Sequence, residues 1–175
     1  MSYKRAPGYQ PGVCLVNEKD VLYVENRNGN SDAKAFQNET LQRMFDVLTQ
    51  QGIASKYKFR ADSASHHYEV FKTLEQNNCT FYIGAKNSSV EKRFSTVKQW
   101  NKVKEGQQEM WIGETTYTPF LQRPGVKENP KTYRLLVKRM LNKTGQMNIL
   151  TEDAYEYRAI ITNDDETELS LAIEF

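Results

Sequence analysis

The chain has 175 residues, with 24 Lys and Arg against 22 Asp and Glu, a net charge of +2. A hydrophobic fraction of 38% and an aromatic fraction of 11% suit a folded domain with a real core and exclude a disordered polyelectrolyte. No run approaches the roughly 18 apolar residues of a membrane span, and no apolar segment follows MSYKRAP, so a cytoplasmic protein without a membrane partner is expected.

GVCLV and DVLYVE, separated by the turn-forming NEKD, predict a β-hairpin over residues 12–26. After NRNGNSD, Ser31 or Asp32 is expected to cap a helix running to about Gln51. Phe36, Leu41, Met44, Phe45 and Leu48 fall near helical spacing there, and Gly52 follows the end. KYKFRAD reads as a short strand. SASHHYEVFKTLEQNN reads as a Ser-capped helix with Tyr68, Phe71 and Leu74 on one face, and CTFYIGAK as another strand. The order β-β-α-β-α-β up to residue 86 implies a sheet with at least one parallel crossover. Residues 88–104 have room for a helix, though their pattern is poor. EMWIGETTYTPF, TYRLLVKRML and YRAIITND read as strands of a β-rich half. In DDETELSLAIEF a helix opens, with Asn163 or Asp164 as cap, and is expected to be cut short at Phe175, as in a truncated gene or segment.

The residues that could carry chemistry are few. Asp62 closes a strand and precedes a helix start, where a carboxylate can hold Mg²⁺ or can simply turn the chain. His66 and His67 could be ligands or a base, but neighbouring helical positions point about 100° apart, so at least one is expected on the surface. Glu152, Asp153, Glu156, Asp164, Asp165, Glu166 and Glu168 lack calcium-loop spacing and suit a solvated face. Cys14 and Cys79 stand singly in apolar runs and read as buried free thiols. Two basic groups suit either phosphate backbones or a solubilising surface. One comprises Lys86, Lys92, Arg93, Lys98, Lys102 and Lys104, interleaved with Phe94 and Trp100. The other comprises Lys131, Arg134, Lys138, Arg139 and Lys143, with Arg134 and Lys138 on one face of a strand and Arg139 on the opposite one. ENRNGNSD lacks the glycine spacing and lysine of a P-loop.

Taken in order, GYQPGVCLV, YVENRNGNSD, KFRADSAS, FYIGAK and YRAIITND resemble the central part of the DDE-domain transposases of bacterial insertion sequences, over nearly the whole chain. The resemblance implies an α/β fold: an incomplete RNase H-like mixed sheet with flanking helices plus a β-rich insertion. The implied organisation is a partial core over 1–86, the insertion over 87–163, and the start of a returning helix over 164–175. It also implies that Asp62 is the second of three catalytic carboxylates that hold two Mg²⁺ or Mn²⁺ ions for cleaving and joining DNA. Neither other carboxylate has a match here. Tyr155 and Arg158 have the first interval of the Tyr-x-x-Arg-x-x-x-Glu signature, but Thr162 stands where its glutamate belongs. The implied parent is a metal-dependent enzyme acting on transposon ends at the nucleoid. This chain is then expected to be inactive alone, to bind no metal stably, and to self-associate through exposed sheet edges. Lys92, Arg93, Lys98, Lys102, Arg134, Lys138 and Arg139 are the candidate DNA contacts. The competing readings are a non-catalytic DNA-binding or structural remnant of a mobile element, and a different nuclease drawing acids from Asp20, Glu25 or Glu69.

Overall fold

A computed structural model describes residues 9, 11–17, 19–29, 31–32, 35–53, 56–105, 108–142, 147 and 154–173. They fall into two compact units: residues up to Tyr57 with His67–Cys79, and Lys58–His66 with the chain from Thr80 onward.

The first unit opens with the expected hairpin, β1 (Gly12–Val16) against β2 (Asp20–Glu25), antiparallel and with a register break at Cys14/Leu15. α1 (Gln37–Gln50) buries Leu41, Met44, Phe45 and Leu48. It starts later than a Ser31 or Asp32 cap would place it. Phe36 at the cap position has φ 60°, a left-handed conformation that breaks the helix on its N-terminal side, and no side chain caps it. α2 (Tyr68–Gln76) buries Val70, Phe71 and Leu74. Both helices close with the same hydrogen-bonded motif around a left-handed residue. Gly52 N–H bonds to Thr49 and Ile53 N–H to Leu48, each at 3.0 Å, while Asn78 N–H bonds to Glu75 at 3.0 Å and Cys79 N–H to Leu74 at 2.9 Å. The second motif delivers Cys79 into the interior, where burial pushes its thiol up to about 12. Cys14 is also a free thiol but only half-buried.

The second unit is a six-stranded mixed sheet. Its strands are β3 (Lys58–Ala61), β4 (Thr80–Gly84), β5 (Asn101–Glu105), β6 (Gln108–Tyr117), β7 (Tyr133–Leu141) and β8 (Tyr155–Thr162), in the order β3-β4-β8-β7-β6-β5. Only β3 and β4 run parallel; every other pair is antiparallel. The division expected at residue 86 lies between β4 and α3, and strands on both sides of it share this one sheet. One face aligns Thr115, Leu135, Ile161 and Ile83, and α3 (Asn87–Phe94) covers it through Val90 and Phe94. On the other, Tyr82, Leu136 and Ile160 pack with Leu169, Ala172 and Ile173 around α4 (Leu169–Ala172). Each fully buried Ile, Leu, Val or Phe side chain here contributes about 1.5–3 kcal/mol through burial.

Three details depart from the pattern-based reading. Ser63–Ser65 form a 3₁₀ turn capped by Asp62, and α2 starts only at Tyr68, because His66 and His67 leave helical geometry. The segment after α3 ends in an edge strand, β5, whose NKVKE carries exposed Lys102 and Lys104; such charges protect an edge but hide it from a hydrophobic search. Asp164 closes a turn by accepting from the Glu166 and Thr167 amides at 3.0 Å each, so α4 begins beyond it, at Leu169. Glu152, Asp153, Lys143 and Phe175 lie outside the described residues.

Candidate functional site

KFRA alternates exposed and half-buried positions, as an edge strand does, and delivers Asp62 to the carboxyl end of β3 beside the end of parallel β4. In mixed α/β sheets, the carboxyl ends of parallel strands are where ligands are commonly bound. The Asp62 side chain is exposed. Its Oδ1 accepts from Ala64 N–H at 2.9 Å, which fixes the carboxylate across the 3₁₀ turn, and among the described residues Oδ2 carries no hydrogen bond. The turn sits close against β4: a Cβ built on Gly84 would lie 3.0 Å from the Ser63 nitrogen and 3.2 Å from the Asp62 carbonyl carbon.

His66 braces the same turn. Its Nδ1 accepts from the Lys86 amide at 3.2 Å, and its ring meets Tyr117 and Phe120 edge-on at 6.2 and 5.6 Å between centroids. Burial, with the nearby Lys86 charge, lowers its proton affinity to about 4, so at neutral pH it is uncharged with the proton on Nε2. The expectation that one of the two histidines is exposed fails: His66 is buried and His67, at the start of α2, is half-buried. The ring contacts of His66 come from Tyr117 and Phe120, distant in sequence.

The candidate basic residues separate into different environments. Lys92 and Arg93, in the last turn of α3, and Lys98 are exposed. Lys102 pairs with Glu109 at 2.8 Å and lies over the Trp111 ring at 5.7 Å. Arg134 is engaged in the fold: it donates to Glu114 at 2.5–2.6 Å and to the carbonyls of Thr167 at 2.6 Å and Asp164 at 3.2 Å. Lys138 stands opposite Ile112 and Arg158, on the face away from Arg139. Arg139 lies over Trp100 at 4.0 Å and Tyr155 at 4.5 Å.

The acids are equally divided. Glu25 is held by Thr40 and Arg43, and its carboxyl lies below the ordinary range chiefly through the Thr40 hydrogen bond, against some opposition from burial. Burial works to raise Asp164, but hydrogen bonds from Thr167 and Tyr82 and from the Thr167 and Glu166 amides outweigh it and hold the carboxyl far below the usual range. This network with Tyr82 joins residues 82 positions apart and has no local signature. Among the described residues no group of three His, Cys, Asp or Glu side chains could hold a metal ion. One free carboxylate oxygen on Asp62 is a ligand but not a metal site, so the described donor set does not by itself fit a divalent ion.

No family model and no curated protein sequence matches the chain. Among the described residues, no helix is long and apolar enough to cross a membrane.

Proposed function

We propose that this chain belongs to the catalytic domain of a DDE-type DNA transposase with an RNase H-like core, and that Asp62 is one of its metal-binding carboxylates. The observation that carries this reading is the setting of Asp62. Its carboxylate is exposed at the carboxyl end of a parallel strand, with one oxygen anchored to the Ala64 amide and the other available. A metal ligand needs this combination of fixed geometry and unused lone pairs. The chain's own residues do the positioning: the cap on Ala64 sets the carboxylate direction, Gly84 admits the turn against β4, and neutral His66 ties it to Lys86.

Together with further carboxylates, Asp62 would hold Mg²⁺ or Mn²⁺, whose chemistry when bound is nucleophile activation and leaving-oxygen stabilisation. Two of the three carboxylates that the resemblance implies have no match in the sequence, so the chain by itself is expected not to cut or join DNA. Incubating it with linear DNA and Mg²⁺ tests this. Cleavage that an Asp62→Ala control abolishes would show that the site is complete within the chain.

A second reading, a DNA-binding remnant without catalysis, draws on the basic and aromatic side chains of β5–β8, which do not depend on Asp62. A gel shift by both wild type and Asp62→Ala, with no activity from any longer product of the gene, favours this alternative.

A further inference from the structure

Cross-strand register places Lys102, Trp111, Arg139 and Tyr157 in one row across β5, β6, β7 and β8, hence on one face. Within it the Arg139 guanidinium is clamped, with Trp100 and Tyr155 within 4.5 Å and Trp111 at 5.9 Å. Tyr155 in turn meets Trp111 edge-on at 5.5 Å, so the rings brace one another as well as the arginine. Phe94 stacks on Tyr157 at 4.6 Å beside them.

The arginine so held carries no hydrogen bond and no ion pair among the described residues, and its Nε is sealed from solvent without a partner. Arg134, five residues earlier on the same strand, shows the contrast: its donors are taken up by one carboxylate and two carbonyls. On the same face, Glu109 pairs with Lys102, and Glu156, opposite Met140, lies on the other face of the sheet. A guanidinium is a planar fork of five donors, suited to two oxygens of one phosphate. Rings that fix its plane in advance reduce the entropy lost when those oxygens bind. The residue as a whole is half-exposed, and Lys102 and Lys104 on β5 add positive charge on the same face.

We propose that Arg139, presented by Trp100 and Tyr155, is a phosphate-binding residue that takes a backbone phosphodiester of a nucleic-acid strand lying along Lys102, Trp111 and Arg139, beside the part of the face that Phe94 covers. Trp111, half-buried between Lys102 and Arg139, gives the strand an aromatic neighbour as well as charge. The proposal rests on the nucleic-acid reading above but not on Asp62 chemistry, so it stands or falls independently of catalysis.

The test follows the Arg139 Nε–H resonance of the full chain by NMR while a single-stranded 20-mer oligodeoxynucleotide is added, with inorganic phosphate and a poly-glutamate peptide as parallel probes. The expected result is a saturable shift of Nε–H with the oligonucleotide, at concentrations where phosphate and the peptide leave it unmoved. In a binding titration, Arg139→Gln is expected to weaken the oligonucleotide roughly fivefold at 0.1 M salt and to lower the salt slope by about 0.7, the share of one phosphate on a single strand. Arg139→Lys keeps the charge but not the fork, so it recovers the slope and only part of the affinity. An Nε–H signal that stays fixed while wild type is saturated with oligonucleotide overturns the proposal, whether or not the variants fold. So does a shift produced by the peptide or by phosphate alone.

Discussion

Replacing Gly84 by alanine adds one methyl where β4 meets the turn that carries Asp62. The new carbon would lie 3.0 Å from the Ser63 nitrogen, 3.2 Å from the Asp62 carbonyl carbon and 3.5 Å from its Cα. All three are backbone atoms, so no side chain can swing aside, and either β4 or the turn has to move by a few tenths of an ångström. Overpacking of this kind costs about 1–3 kcal/mol. Against it stands the loss of glycine's freedom in the unfolded chain, which favours alanine by about 0.4–1 kcal/mol. The net expectation is a destabilisation of about 0.5–2 kcal/mol, or a drop in Tm of roughly 1–8 °C for a chain of this size. Urea unfolding gives the free energy, and amide shifts of Ser63 and Ala64 report on the displaced turn. Gly113→Ala is the control: its methyl would meet Val97 Cγ1 at 2.4 Å and the Gln99 carbonyl oxygen at 2.7 Å, in another part of the sheet. It should destabilise while leaving the Ser63 and Ala64 signals in place. A Gly84→Ala protein as stable as wild type, with those amides unmoved, would refute the close approach that fixes Asp62.

Other expectations follow from single features. His66 takes up a proton at about 4 in the folded protein against an ordinary 6.5, so between those values the unfolded chain binds more protons. Stability is therefore full above pH 6.5 and falls as the pH drops towards 4, by about 3 kcal/mol in total; urea midpoints between pH 4 and 7 should flatten in His66→Phe, and an unchanged profile counts against the buried neutral ring. Leu136 is fully buried between Tyr82 and Ala172, so Leu136→Ala should cost about 2–5 kcal/mol in urea unfolding, and a loss under 1 kcal/mol would contradict that core. Val13 with Val24 and Leu15 with Val21 pair across the hairpin, and all four are more than half exposed. Sedimentation velocity is expected to show self-association that Leu15→Lys with Val21→Lys reduces, whereas a clean wild-type monomer at high concentration would end that expectation.

Sequence pattern was most legible where periodicity and turn chemistry agree. The hairpin has alternating apolar residues around NEKD, β4 is a continuous apolar run, and α1 carries Leu41, Met44, Phe45 and Leu48 on one side before Gly52. The start of α1 was not legible, because a left-handed Phe36 has no compositional mark. Nor was β5, whose lysines guard an edge. In the candidate site, Asp62 and its turn-capping role could be named from its place before SAS, but its proximity to Gly84 arises from the β3–β4 register. The basic residues could be counted but not sorted. Only pairing across β7 separates Arg134, spent on Glu114 and two carbonyls, from Arg139, held between rings with no acceptor among the described residues.

The most direct test of the account is strand cleavage and joining on transposon-end DNA in Mg²⁺ or Mn²⁺, measured with the gene product that carries this chain, as wild type and as Asp62→Asn. Asparagine keeps an oxygen to accept from Ala64 while removing the charge a metal ligand requires. A metal-binding role for Asp62 predicts that the variant binds DNA as wild type does and loses cleavage and joining by orders of magnitude. An Asp62→Asn protein that cuts and joins DNA at the wild-type rate would contradict it.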